Sequence, residues 1–260
     1  MPIIGLVYYL YKCNKMTVRR ISVFYFLVFF VLISGACKTE SVEGVYDART
    51  LGASANDLLT SSRYSSLQID IQYMPGYAPD ASAVSNLVAF LNTRVDKPDG
   101  VTVIQEQIPA SSLSAMSLFN IASVERNWRM HFTGKNVLSV YVLISNGYYS
   151  TPDILATSYW NTSFCIFGKS LDDNSGQSGQ VSRSILMTTL LEHEFGHLMG
   201  LVDQGSPMQA SHRDDLNGAH CDNPDCLMYY NVEAGFTGAL STVPSLDANC
   251  IADLRANGGR

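Results

Sequence analysis

Residues 190–200 read Leu190-Leu191-Glu192-His193-Glu194-Phe195-Gly196-His197-Leu198-Met199-Gly200, and the chain returns at 220–230 with His220-Cys221-Asp222-Asn223-Pro224-Asp225-Cys226-Leu227-Met228-Tyr229-Tyr230. Four of the five histidines lie between Leu190 and Tyr230, a concentration of metal-ligand side chains that a folding core does not require. Two histidines four apart sit one above the other on a helix face, so His193 and His197 can turn both imidazoles toward one ion. Glu194 follows His193 directly and is rotated about 100° from it. From there its carboxylate can take a proton from a metal-activated water and pass it to a leaving amine.

This is the H-E-x-x-H pattern of zinc peptidases. Gly200 comes three residues after His197, where glycine can take the positive φ that ends a helix and turns the chain back. A third ligand is expected beyond that turn, and Asp203, His212 and His220 are the candidates.

His220-Cys221-x4-Cys226-Leu227-Met228 resembles the archaemetzincin pattern, in which a zinc histidine directly precedes C-x4-C-x-M. The resemblance implies that Met228 sits in a tight turn beneath the metal, and it covers about forty residues. The sequence departs from that family twice. Asp203 occupies the slot three residues after the glycine. The downstream C-x-x-C that completes a second, structural zinc site is missing, since only Cys250 follows Cys226.

With His220 as ligand, residues 202–219 are an insertion, and the arrangement is similar to leishmanolysin-like metzincins. With Asp203, it is similar to snapalysin-like enzymes. His212 is the third alternative, and otherwise a surface histidine beside Asp214 and Asp215. Tyr230 lies two residues after Met228, where astacin-like and serralysin-like metzincins carry a tyrosine that moves to and from the metal. The resemblance makes it a second catalytic candidate beside Glu194.

The 260 residues suffice for one domain with a sizeable core. The formal net charge of −6 and a pI near 5.3 leave no electrostatic footprint for nucleic acid. Arg19-Arg20, the apolar run Ile21–Ile33 and Ser34-Gly35-Ala36 before Cys37 read as a secretory signal, with Met16 a plausible true start. Cys37 after small residues resembles a lipobox, which implies lipidation and a membrane anchor. The rest of the chain would then face the periplasm or the exterior, where Cys165, Cys221, Cys226 and Cys250 can oxidise. A Cys221–Cys226 disulfide is expected, with Cys226–Cys250 as the competing pair.

Residues 1–36 are therefore expected as signal peptide, 37–65 as a tether whose Ala53–Leu59 part packs on the domain, and 66–260 as the catalytic domain. Its upper lobe spans 66–200 and its lower lobe 201–260. In Leu67–Tyr73, apolar residues alternate with Gln68, Asp70 and Gln72, as in a half-buried strand. Helical spacing follows over Ser82–Val95, a strand over Val101–Ile108, a helix over Ser112–Met130, and a near-continuous apolar strand, covered on both faces, over Asn136–Ser145. Two shorter strands are read at Ile154–Tyr159 and Ser163–Phe167. One of them, near Trp160, is the edge to which an extended peptide would pair. Gly168–Gln180 reads as a polar loop, with Asp172, Asp173 and Asn174 weak candidates for calcium. The metal-binding helix starts at Ser182 as N-cap, and a closing helix runs over Ser245–Ala256.

The expectation is a metzincin-like α/β (α+β) fold: a mixed twisted sheet, backing helices, a zinc-binding helix and a small C-terminal lobe. The function expected with it is a monomeric zinc endopeptidase of the cell envelope, a lipoprotein acting on peptide or protein substrates. The alternative is a non-catalytic surface lipoprotein that binds peptide, glycan or metal. The chain is also similar to bacterial envelope lipoproteins classed as membrane metalloproteases.

Overall fold

The near-continuous apolar run near residue 140 forms the central strand, and both faces of a five-stranded sheet are built around it. In the computed structural model, which describes residues 48–234 and 241–260, β4 (Val137–Ser145) is buried along all but its first residue. The expected signal, Cys37 and residues 38–47 of the tether lie outside the described residues. Parallel partners flank β4 on both sides: β1 (Ser66–Tyr73), with β2 (Val101–Gln107) beyond it, and β7 (Ser163–Phe167). The edge strand β6 (Ala156–Trp160) pairs antiparallel with β7, giving the order β2-β1-β4-β7-β6.

Alternation along β4 sorts the core. Leu138, Val140, Val142 and Ile144 join the larger cluster, together with α2 (Ala81–Asn92) and α5 (Arg183–Leu198). Tyr141 and Leu143 face the smaller cluster, with Ile121 of α3 (Leu118–Trp128). Strand β1 is interior, so Asp70 and Gln72 are buried too, which corrects the half-buried reading. Gln72 donates to the Trp128 carbonyl at 2.6 Å, and Asp70 lies 3.3 Å from His131.

Three further differences have local causes. The second helix begins only at Leu118, because Ser117 and Asn120 form a reciprocal capping box. The preceding β3 (Ala115–Met116) instead pairs in parallel with β5 (Tyr148–Tyr149). Gly168–Asp173, expected as loop, is a short helix α4, whose first residue a side chain would drive into Tyr77 and the Ser145 carbonyl. The Ala53–Leu59 part of the tether packs as expected, with Leu58 and Leu59 of α1 (Ala55–Leu59) fully buried. The described residues form one compact unit.

Helix α5 begins at Ser182, whose hydroxyl accepts from the Ile185 amide, and is buried continuously from Leu186 to Leu198. A helix apolar on every side belongs between layers. It packs on the sheet on one side and beside α2 on another, where the Ser82 and Ser184 hydroxyls meet at 2.6 Å. After a 3₁₀ turn at Tyr230–Val232, α6 (Ala248–Ala256) closes the chain, capped by Asp247, which accepts from the Cys250 amide. Among the described residues, no helix is long and apolar enough to cross a membrane.

Candidate metal centre

The last turns of α5 present His193, Glu194 and His197, with exposures of 0%, 0% and 5%. Gly200 takes φ +78° and ends the helix as expected, and a side chain there would collide with Ser206 and Ala55. The chain then leaves through Val202 and Asp203, both left-handed at φ 55° and 62°. His220 returns beside α5. The three imidazole centres lie 4.7, 5.3 and 5.0 Å apart for His193–His197, His193–His220 and His197–His220.

Backbone carbonyls set the tautomers. His193 Nδ1 is 2.7 Å from the Leu227 carbonyl and His220 Nδ1 is 2.7 Å from the Asn217 carbonyl. A carbonyl only accepts, so each Nδ1 carries a proton and, in the neutral ring, Nε2 keeps the lone pair. His193 Nε2 is 3.0 Å from His197 Nε2. Donors bound to one zinc ion at about 2.0–2.1 Å would stand roughly 3.3 Å apart. Burial lowers the pKa of His193 to about 4 and holds His197 well below the usual range, so both rings are neutral, as ligation requires. These three rings fit a zinc ion.

The structure brings His220 together with His193 and His197. Asp203 is exposed and belongs to no convergent group of donors among the described residues. His212 is elsewhere. The fourth member of the histidine group is Glu233, with Oε2 3.0 Å from His220 Nε2.

Glu194 is held from the edge strand. Ser158 of β6 donates to Glu194 Oε2 at 2.6 Å, while Oε1 is buried and has no partner. Burial, with Glu233 adding repulsion, raises its pKa well above the carboxylate range. Ser158 was not legible in the sequence, being one serine in a strand. Beside Ser158, His197, Gln204, His220 and Glu233 lies a cavity of about 170 Å³.

Met228 is fully buried against α5, and a Cβ on Gly196 would come within 2.2 Å of its sulfur. Gly196 is therefore the residue that lets the Met228 turn approach the helix. Tyr230 opens the 3₁₀ turn with its ring edge-on to Tyr229, centroids 4.8 Å apart.

The thiols are not paired as the expected disulfide, and they lie in a second group of donors. Cys221, Cys226 and Cys250 are buried free thiols, with Cys226 and Cys250 sulfurs 3.7 Å apart. His212, expected at the surface if not a ligand, is 1% exposed. Its Nδ1 lies 3.4 Å from Cys221 Sγ and 3.9 Å from Cys250 Sγ, and its Nε2 is 2.8 Å from Asp253. Asp247 adds a carboxylate oxygen 3.3 Å from Cys221 Sγ.

Around a tetrahedral zinc, with bonds of about 2.3 Å to sulfur and 2.0 Å to nitrogen, these spacings would be roughly 3.7 Å between sulfurs and 3.5 Å from nitrogen to sulfur. Hydrogen bonding with Cys221 and then Cys250 lowers the Cys226 pKa to about 4, and amides of Asp247 and Met228 point at the same sulfur. A thiolate, a histidine oriented by a carboxylate and two further thiols could hold a structural zinc.

The calcium candidates separate: Asp172 pairs with Arg183 at 3.0 Å, Asp173 accepts from Tyr148 at 2.8 Å, and Asn174 donates to the Ser170 carbonyl.

No family model and no curated protein matches the sequence. Among solved structures, archaemetzincin from Methanopyrus kandleri is similar with a TM-score of 0.50 at 14% identity, over 75% of this chain and 97% of that one. Metalloproteinase-II from Bacteroides fragilis aligns with a TM-score of 0.42 at 13% identity, over 77% of this chain and 56% of that one. The mainly parallel sheet with its backing helices and buried histidine helix is thus an archaemetzincin-like fold.

Proposed function

We propose that the chain is a zinc-dependent endopeptidase, with His193, His197 and His220 holding the metal and Glu194 as general base. The observation that carries this reading is Glu194 itself. One oxygen is fixed by Ser158 and the other is buried without a partner, next in sequence to a metal-facing histidine. A protein that only bound metal would have no use for a desolvated acceptor there.

Zinc in this site would supply the Lewis acidity that makes water a nucleophile near neutral pH and polarises a scissile carbonyl. Glu194 Oε1 accepts the proton of the attacking water and returns it to the leaving amine. The Ser158 hydroxyl keeps the carboxylate in one rotamer during both transfers. An extended peptide pairs along the free edge of β6, which carries Ser158 and so leads directly to the base. Met228 forms the floor beneath the histidines and carries no charge. His212, Cys221 and Cys250, with Asp247 or Cys226 as fourth donor, would hold a second, structural zinc that ties α6 to the Met228 turn.

Lipidation at Cys37 places the enzyme on the cell envelope, facing the periplasm or the exterior. Hydrolysis of casein or a quenched peptide by the purified full-length chain, abolished by a chelator and restored by zinc, tests the reading. Zinc binding with no hydrolysis by the wild type would leave a metal-binding surface lipoprotein.

A further inference from the structure

We infer that Glu233 is a fourth metal donor of the histidine site, a displaceable one that closes the site until a ligand takes its place. The inference rests on the metal reading above and deepens it. Glu233 belongs to no recognisable motif, and its position follows from the folding of the 3₁₀ turn after Tyr229.

The argument starts from the His220 ring. Its Nδ1 is committed as donor to the Asn217 carbonyl, so in the neutral ring Nε2 carries the lone pair. Glu233 Oε2 nevertheless lies 3.0 Å from that Nε2. Two acceptors at that separation repel unless a cation serves both. A proton on Nε2 would serve only this pair. A metal ion serves it together with the equally bare Nε2 of His193 and the ring of His197. The donor atoms of all four residues lie within 4.8 Å of one another.

Position gives Glu233 its role. The backbone is pinned, since its amide donates to the Tyr230 carbonyl at 3.1 Å and its carbonyl accepts from Leu155 at 2.9 Å, immediately before β6. The side chain is free to turn about its own torsions. It is 17% exposed, against 12% for His220, and lines the cavity beside the site together with His197 and His220, whereas His193 is fully buried. Glu233 is therefore the donor on the open side.

Four protein donors close a tetrahedral zinc, and a hydrolytic site needs one position open. Of the four, only Glu233 can leave without moving a helix or a buried ring. A substrate carbonyl entering from β6 would take over the position that the carboxylate vacates.

The test uses the full-length chain, with zinc affinity measured by chelator competition and acetohydroxamate as the small metal-directed probe. His193→Ala identifies which zinc belongs to the histidine site. In Glu233→Gln, that zinc should bind at least about tenfold more weakly. Acetohydroxamate should bind the zinc-loaded variant at least about tenfold more tightly than wild type, because it no longer displaces a carboxylate. Glu233→Ala, which keeps the backbone bond to Leu155, should move both readouts the same way. Either readout unchanged in both variants overturns the inference while leaving zinc at the histidines. If His193→Ala loses no zinc, the metal reading fails and the inference fails with it.

Discussion

Gly196→Ala tests whether the Met228 turn packs directly beneath the histidine helix. Alanine in a helix interior is favoured over glycine by about 1 kcal/mol, so with room available the substitution would stabilise the protein. Here the new Cβ would lie 2.2 Å from Met228 Sδ and 3.1 Å from its Cε. Ordinary contact is about 3.5–4.0 Å, so the overlap exceeds roughly 1 Å. Met228 is fully buried, so its flexible thioether can yield only by repacking among its neighbours.

Overpacking costs about 1–3 kcal/mol, and a sulfur buried this deeply belongs at the upper end. The net effect is destabilisation by about 2 kcal/mol, or a fall in Tm of roughly 4–8 °C for a domain of this size. Thermal melts of the metal-loaded protein measure it. In a Met228→Ala background the clash is gone, and the same substitution should raise Tm. A Gly196→Ala protein as stable as wild type, or the same sign in both backgrounds, would refute the packing argument.

Other outcomes follow from the site and the core. Glu194→Gln should keep its zinc and lose about 10²–10⁴-fold in peptide hydrolysis; full activity in the amide would remove Glu194 as base. Asp253→Asn takes away the carboxylate that orients His212 at 2.8 Å. It should weaken the sulfur-site zinc about 10–100-fold in a chelator titration and leave the histidine-site zinc unchanged. On the opposite face of the sheet, Arg129 pairs with Glu125 at 2.7 Å with almost no exposure. Arg129→Met strands that carboxylate and should cost about 3–5 kcal/mol in denaturant unfolding, without altering zinc content.

The sheet and the histidine helix were legible because their signals are local. Alternation in β1, the near-continuous apolar run of β4 and the cap at Ser182 mark elements whose burial follows from their own residues. Polar residues of β1 misled, since the covering of Asp70 and Gln72 by α3 depends on tertiary packing. His193, Glu194 and His197 were readable because one helix supplies all three. His220 could be proposed only beside Asp203 and His212, because spacing along the chain says little across a long connection. Folding separates the three: His220 returns to the rings, His212 turns into the sulfur group, and Asp203 faces solvent. Glu233, Ser158 and the His212–Cys250 pairing carry no sequence period at all. One available signal was Cys250 and Asp253 three apart on a short amphipathic helix, which puts a thiol and a carboxylate on one face.

Zinc per chain, by elemental analysis of the purified full-length protein, tests the central claim most directly. The account predicts two ions in wild type and in Asp203→Ala, and one each in His220→Ala and Cys250→Ala. A wild type with no zinc, a His220→Ala protein that keeps both ions, or loss of one on Asp203→Ala would contradict it.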